Sequence, residues 1–146
     1  MNTKIKQGLL GGIAATAVMT AFMMIAAVIG MPKMSPPEML ATMMGLPIFV
    51  GWIMHFIIGV IFALVYAFFF INWVKRVNNN VLKGVIFGVS AFILAQIAIG
   101  ILVDVVGGMP VTNDNTILIL ISGVVGHVVF GIVIALLIKN DEHDAS

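Results

Sequence analysis

Four long apolar segments alternate with short polar stretches along the chain. They run approximately over residues 8–30, 48–71, 81–103 and 117–138, and Lys83 is the charged residue within them. Each is about as long as the roughly 20 residues with which an α-helix crosses a bilayer. The hydrophobicity is continuous, without the alternation of barrel strands. The pattern therefore predicts four transmembrane helices.

The second and fourth segments carry the same motif at the same spacing. In each copy a histidine stands between two glycines four residues away, so that the three lie on one helical face. The copies are Gly51, His55, Gly59 with Ala63-Leu64, and Gly123, His127, Gly131 with Ala135-Leu136. This repetition indicates an internal duplication that brings a histidine pair into the membrane.

The first and third segments also correspond, because each begins with two glycines four residues apart and ends in Gly-Met-Pro. The glycines are Gly8 and Gly12, and Gly84 and Gly88; the ends are residues 30–32 and 108–110. We predict one membrane domain, residues 1–146, with repeats at about 1–76 and 77–140 and a frayed tail at 141–146. The fold class is an all-α integral membrane protein, a four-transmembrane-helix bundle of two parallel two-helix repeats. A pseudo-two-fold axis along the membrane normal then puts both histidines at one depth.

The polar stretches between the segments predict little regular structure. Ser35-Pro36-Pro37-Glu38 has the pattern of a capping box with a first-turn proline. It predicts a short surface helix from Glu38 to Met44, ended by Gly45 and Pro47. Residues 112–116 are polar and typical of a turn, and Asn78-Asn79-Asn80 is expected to be a plain loop.

The composition agrees with a membrane protein and excludes several function classes. Hydrophobic residues make up 62% of the chain and charged residues 9%, against roughly 25% charged in an average soluble domain. Without cysteine, the chain has no disulfides, thiolate metal sites or cysteine nucleophiles. The net charge of +1 and the lack of a basic stripe give no indication of nucleic-acid binding. The expected partners are the lipid bilayer and a second copy or a larger membrane complex, through lipid-facing glycines.

The distribution of basic residues predicts the orientation. Lys4, Lys6, Lys75, Arg76, Lys83 and Lys139 fall on one side of the predicted membrane, and Lys33 falls on the other. Because cytoplasmic loops are enriched in lysine and arginine, both termini are expected in the cytoplasm of a multi-pass protein. The first segment is long and corresponds to the third, so we expect it to be retained and not cleaved as a signal peptide.

Ionisable residues inside a membrane indicate a functional site, because they are costly unless they have a partner. Three interpretations of His55 and His127 remain open. In the structural interpretation, each imidazole forms a hydrogen bond to a neighbouring helix, which contributes roughly 0.6 to 2 kcal/mol. The glycines then only allow the helices to pack closely. The protein would then be an accessory subunit of a membrane complex.

The second interpretation is a bis-histidine haem b between the second and fourth helices. Two imidazoles at one depth would be the axial ligands, so the haem would transfer electrons and not bind oxygen. Gly51, Gly59, Gly123 and Gly131 would make room for the macrocycle. Alignment of Gly8 with Gly84 pairs Thr20 with Gln96, and both would donate hydrogen bonds behind the imidazoles or to a propionate.

The third interpretation is a metal site at His55 and His127, since imidazole suits zinc or copper and thioethers suit Cu(I). Methionines recur near the outer side of the first helix and in the loop that follows it. They are Met19, Met23, Met31, Met34, Met39 and Met43. Methionine is also a flexible packing residue, so this pattern alone favours neither role.

An enzyme is not indicated. No serine, histidine and carboxylate can be assembled into a catalytic group, and the segments hold no carboxylate for use as a general base. Gly11-Gly12 lies inside a helix without the lysine of a phosphate-binding loop.

Short motifs in both predicted repeats resemble a family of small four-helix bacterial inner-membrane proteins of unknown function. The motifs are Gly8-Leu9-Leu10-Gly11-Gly12 with Ala14-Ala15-Thr16, Gly51-Trp52-Ile53-Met54-His55-Phe56, Lys83-Gly84-Val85-Ile86-Phe87-Gly88 and His127-Val128-Val129-Phe130-Gly131. The resemblance implies a location in the bacterial cytoplasmic membrane and supplies no activity.

Overall fold

The computed structural model describes residues 3–106 and 115–138. Within these ranges the protein consists of five helices and no strands. They are α1 (Thr3–Val28), α2 (Pro36–Met44), α3 (Ile48–Trp73), α4 (Asn80–Val106) and α5 (Thr116–Leu137). All except α2 are long and apolar enough to cross a membrane. The predicted all-α membrane fold is therefore confirmed.

The observed helices extend the predicted segments by a few residues at most ends, because polar residues continue or cap them. Asn79 is not part of a plain loop: its Oδ1 accepts hydrogen bonds from the backbone N–H groups of Val81 and Leu82 and so caps α4. Asn115 caps α5 in the same way, through Ile117. The predicted Gly-Met-Pro end at 108–110, the turn over 112–114 and the tail at 141–146 lie outside the described residues.

The short helix α2 begins two residues earlier than predicted, at Pro36, because proline fits the first turn of a helix. Ser35 occupies the N-cap position, but its side chain makes no capping hydrogen bond, so the predicted capping box is wrong in this respect. Gly45 ends α2 with a φ of 63°. This left-handed conformation is the usual reason for glycine after a helix.

Helix α1 packs against both α3 and α5, and α5 packs most extensively against α4. We call the end of the bundle that carries Lys6, Lys75 and Arg76 the basic end, and the opposite end the α2 end. At the α2 end, α2 lies mainly against α3.

An aromatic cluster joins α3 to α4 towards the basic end. The ring of Phe87 lies 4.9 Å, centroid to centroid, from the rings of Tyr66 and Phe70, and it meets both edge to face. Tyr66 and Phe70 are the two ends of a π-helical turn in α3. Such a turn contains one residue more than an α-helical turn and changes the direction of the side chains around it. The turn thus presents both rings to α4.

Candidate functional site

Glycines bring the helices of each predicted repeat into close contact. A Cβ atom built on Gly12 of α1 would lie 2.6 Å from the Cα of Val60 in α3. A Cβ on Gly88 of α4 would lie 2.6 Å from the Cα of Val128 in α5. Only glycine permits these distances, and such approach is the main source of helix association in lipid.

The contacts of Gly12 and Gly84 show that α1 aligns with α4 one helical turn away from the predicted alignment. Gly12 meets Val60 of α3, and Gly84 meets the equivalent residue of α5, Ile132. Gly84 therefore corresponds to Gly12 and not to Gly8. In this register Thr20 corresponds to Phe92, not to Gln96, and the duplication itself stays a prediction.

His55 is held by a hydrogen-bond chain between α3 and α1. Its Nε2 lies 3.1 Å from Oγ1 of Thr20, and that hydroxyl donates to the backbone oxygen of Thr16 at 2.8 Å. A hydroxyl has one proton to donate, so the Nε2–H of His55 donates to Thr20 and the lone pair remains on Nδ1. Both side chains are only 8% exposed. The contact satisfies a buried imidazole and joins two helices.

His127 is held by its own helix. Its Nδ1 lies 2.8 Å from the backbone oxygen of Gly123, and because a carbonyl oxygen only accepts, Nδ1 carries the proton. The lone pair remains on Nε2, so the two histidines have opposite tautomers. The half-buried ring meets the edge of Phe92 in α4, with centroids 5.5 Å apart. Among the described hydrogen bonds, none links the two imidazoles.

The space next to the four motif glycines is filled by protein atoms. A Cβ on Gly51 would lie 3.0 Å from Cβ of Ala41 in α2. On Gly59 it would overlap the hydroxyl of Thr16, and on Gly123 it would lie 2.8 Å from the Phe92 ring. A Cβ on Gly131 would lie 2.9 Å from the Cα of Gly88. These glycines serve close packing and leave no room there for a macrocycle.

The structure thus separates the residues that were predicted to share one site. Thr20 joins His55, whereas Gln96 is exposed on α4, and no described hydrogen bond joins it to either histidine. His55 faces α1 and His127 contacts α4. Neither histidine is among the described residues that line the two cavities discussed below. The packing around the motif glycines and the linings of the cavities do not favour the haem interpretation, and haem stays a prediction.

The described residues do not complete a metal site of the usual kind at the histidines. Within the part of the chain that the structure describes, no three histidine or acidic side chains lie close enough to hold a metal ion. Met19, Met23 and Met43 are buried. Met19 and Met23 belong to the apolar core between α1 and α5, which is the packing role that methionine often has.

The structure contains a large cavity that the sequence did not indicate. It has a volume of about 900 Å³ and opens at the α2 end, between α1, α2 and the start of α3. Lys33 and Glu38 line it, and so does Thr20, the hydrogen-bond partner of His55. The cavity exists because α2 docks on α3 at Gly51, a contact that no local pattern could reveal.

A second cavity of about 120 Å³ lies between α1 and α5. Ser122 of α5 contributes a buried hydroxyl that has no hydrogen-bond partner. Three methionines also line it, Met23, Met31 and Met34. The spacing of these methionines is visible in the sequence, but their grouping around one space depends on the packing of α1 against α5.

Comparison with known proteins gives a family and no activity. The profile of a family described as a family of unknown function, DUF6789, matches residues 2–144. No curated protein and no solved structure matches the chain. The resemblance to a family of unknown function is thereby confirmed, while bacterial origin and tandem repeats stay predictions. Since the match spans almost the whole chain, this protein with four membrane-length helices belongs to the DUF6789 family of unknown function.

Proposed function

We propose that the protein binds a phospholipid with a zwitterionic head group in the large cavity at the α2 end. The observation that carries the proposal is the make-up of this cavity: one cationic and one anionic side chain, Lys33 and Glu38, stand beside a mainly apolar wall. A volume of about 900 Å³ lies within the roughly 300 to 1,000 Å³ range of small-ligand sites. It can hold a head group and the upper part of an acyl chain.

The wall of the cavity suits an acyl chain. Apolar side chains from α1, α2 and α3 make up most of it; they include Met24, Ala27, Val28, Ala41 and Ile48. Trp52, which also lines the cavity, is of the type that concentrates at the level of lipid head groups. An amphiphile can therefore place its chain along α1 and its head at the mouth.

The charges favour a zwitterion over an ion of one sign. Lys33 and Glu38 are both exposed and both line the cavity. A phosphate beside Lys33 and an ammonium group beside Glu38 would each meet an opposite charge. A purely anionic lipid would gain at Lys33 and be repelled at Glu38.

His55 then has a structural role beside the cavity, through Thr20, which lines it. The hydroxyl of Thr20 already accepts from His55 and donates to Thr16. It offers little to a charged group, which agrees with a head group bound at the mouth. Through Thr20, His55 holds α1 against α3 and so fixes two of the three walls.

The experiment measures which lipids stay with the detergent-purified protein, by native mass spectrometry after exchange into equimolar ethanolamine, choline and glycerol phospholipids. The zwitterionic lipids should be retained over the anionic glycerol lipid. Lys33→Gln and Glu38→Gln should each reduce this preference. Lys75→Gln, an exposed lysine at the basic end, is the matched control and should leave it unchanged. Equal retention of all head groups, or equal losses in the control, would show the proposal to be wrong.

The haem interpretation is a second candidate, because one further observation favours it. Each imidazole donates one N–H to a protein oxygen and keeps a lone pair on its other nitrogen, the arrangement of metal-ligating histidines. Absorption spectra of the protein, expressed with haem precursor, oxidised and then reduced with dithionite, provide the test. Sharp reduced bands that vanish in both His55→Ala and His127→Ala would establish a bis-histidine haem and support an electron-transfer role. A featureless spectrum would remove this candidate.

We further propose the bacterial cytoplasmic membrane as the location, with both termini in the cytoplasm. Lysine and arginine at the basic end, among them Lys6, Lys75 and Arg76, support this orientation. Association into a dimer or with a larger membrane complex also stays a proposal, supported by the broad apolar surface that the helices expose.

A further inference from the structure

The small cavity between α1 and α5 is lined by methionines and hydrocarbon side chains, with a single serine. Three methionines line it, Met23, Met31 and Met34, together with Ser122. The rest of the wall is hydrocarbon: Phe22, Ala26, Ile29, Pro32 and Val125. Among the described residues of this lining, none has a side-chain nitrogen or a carboxylate, so methionine sulfur and the Ser122 hydroxyl are its side-chain donors.

Met23 and Ser122 meet this cavity from opposite helices. A Cβ atom built on Gly126 of α5 would lie 3.1 Å from Sδ of Met23, so the glycine makes space for the sulfur. Ser122 precedes Gly126 by one helical turn and therefore lies on the same face of α5. Its side chain is 8% exposed, and its Oγ is buried without a hydrogen-bond partner. A buried hydroxyl without a partner is uncommon in proteins and calls for an explanation.

We infer that this cavity binds a soft monovalent metal ion, Cu(I) or Ag(I), through the thioethers of Met23, Met31 and Met34. Thioethers are soft, uncharged ligands that select Cu(I) over harder ions. Zinc sites are built from cysteine, histidine and carboxylate, and calcium and magnesium sites from oxygen. A single positive charge is also less costly to bury among neutral ligands than a double one. Beside such a cation, the lone pairs of the Ser122 hydroxyl would no longer lack a partner.

The ion has a route to this site. Met23 and Met34 line the large cavity as well as the small one, so the two cavities share a wall of movable thioether side chains. Exchange of an ion between successive thioethers leads from the open α2 end to the space between α1 and α5. This inference does not depend on the lipid proposal, because the small cavity and its ligands exist whether or not a lipid occupies the large one.

The test uses the purified protein in detergent, kept reducing for Cu(I), with Ag(I) as a redox-inert probe. Bound Ag(I) is counted by elemental mass spectrometry after gel filtration, and Cu(I) affinity is measured by competition with a chromophoric Cu(I) chelator. We expect one tightly bound ion per chain. The lack of cysteine removes the usual competing soft ligand.

Methionine-to-leucine variants remove the sulfur and nearly conserve the volume. Met31→Leu and Met34→Leu, both at partly buried positions, should each weaken Cu(I) binding by about tenfold or more, since loss even of an outer contact typically costs 10- to 100-fold. Met44→Leu, an exposed methionine outside both cavities, is the control and should bind as the unchanged protein does. Circular dichroism checks that all variants remain helical.

Several outcomes would contradict the inference. They are the absence of stoichiometric Ag(I), equal losses in Met44→Leu, and full binding by a Met31→Leu/Met34→Leu double variant. Loss of binding in His55→Ala and His127→Ala, but not in the methionine variants, would instead assign the ion to the histidines. Zn²⁺ competing with Ag(I) at equal strength would show that the site is not selective for soft ions.

Discussion

Thr16 of α1 fits into the notch that Gly59 leaves in α3. A Cβ atom on Gly59 would lie 3.1 Å from the Cβ of Thr16 and would overlap its hydroxyl. The backbone of α3 at Gly59 thus contacts the side chain of Thr16 in α1, which is only 1% exposed. The glycine that follows His55 by one turn therefore positions α1, and with α1 it positions Thr20.

Alanine at this notch should destabilise the bundle. We expect Gly59→Ala and Gly131→Ala each to cost about 1 to 3 kcal/mol, the range for overpacking a tight contact. Unfolding in mixed micelles with increasing dodecyl sulfate measures the change. Gly100→Ala, on α4 with no atom within 4 Å of a built Cβ, is the control. It should be neutral or stabilise by up to about 1 kcal/mol through helix propensity, and equal losses at all three sites would contradict the assignment.

Two threonines one turn apart should respond in opposite ways to the same substitution. Thr20→Val removes the acceptor of the His55 Nε2–H and should destabilise by about 1 kcal/mol. The hydroxyl of Thr16 is buried without a partner, so Thr16→Val should be neutral or slightly stabilising. The same micelle titration compares them. If Thr16→Val were the more damaging of the two, the hydrogen-bond chain from His55 would be wrong.

The two histidines should differ in their importance for the fold. His55 bonds a neighbouring helix, whereas His127 bonds the backbone of its own helix. We therefore expect His55→Leu to destabilise α1 against α3 by about 0.6 to 2 kcal/mol, and His127→Leu to cost less. The same micelle titration measures the loss of stability, and proteolysis of the single variants in detergent measures how far the contact between α1 and α3 loosens. Equal effects would indicate that the two imidazoles act as a pair, as the haem interpretation requires.

The natural absence of cysteine makes the orientation easy to test. We expect a cysteine at the exposed position of Thr42 in α2 to react with a membrane-impermeant thiol reagent added outside intact cells. A cysteine in place of Asn78, at the basic end, should react only after the membrane is permeabilised. The reverse result would invert the orientation that the lysines and arginines predict.

The number, length and membrane character of the long helices follow from the amino-acid sequence. Continuous apolar runs of about 20 residues allow few other structures in lipid, since every backbone hydrogen bond must be made within the segment. The positions of Gly45 and of the proline before α3 likewise follow from local conformational preference. Close packing at the repeated glycines was one of the interpretations that the sequence left open.

Which residues contact one another depends instead on how the helices pack. A glycine pattern with a period of four residues looks the same after a shift of one helical turn. The sequence therefore aligned Thr20 with Gln96, whereas the helix contacts align the position of Thr20 with that of Phe92. Whether glycines surround a ligand or a neighbouring helix depends on what approaches them, and here Thr16, Ala41, Phe92 and Gly88 do. Both cavities arise between segments distant in sequence, because α2 docks on α3 and α1 packs on α5. Local periodicity carries no information about such contacts, which depend on the shapes of two surfaces at once.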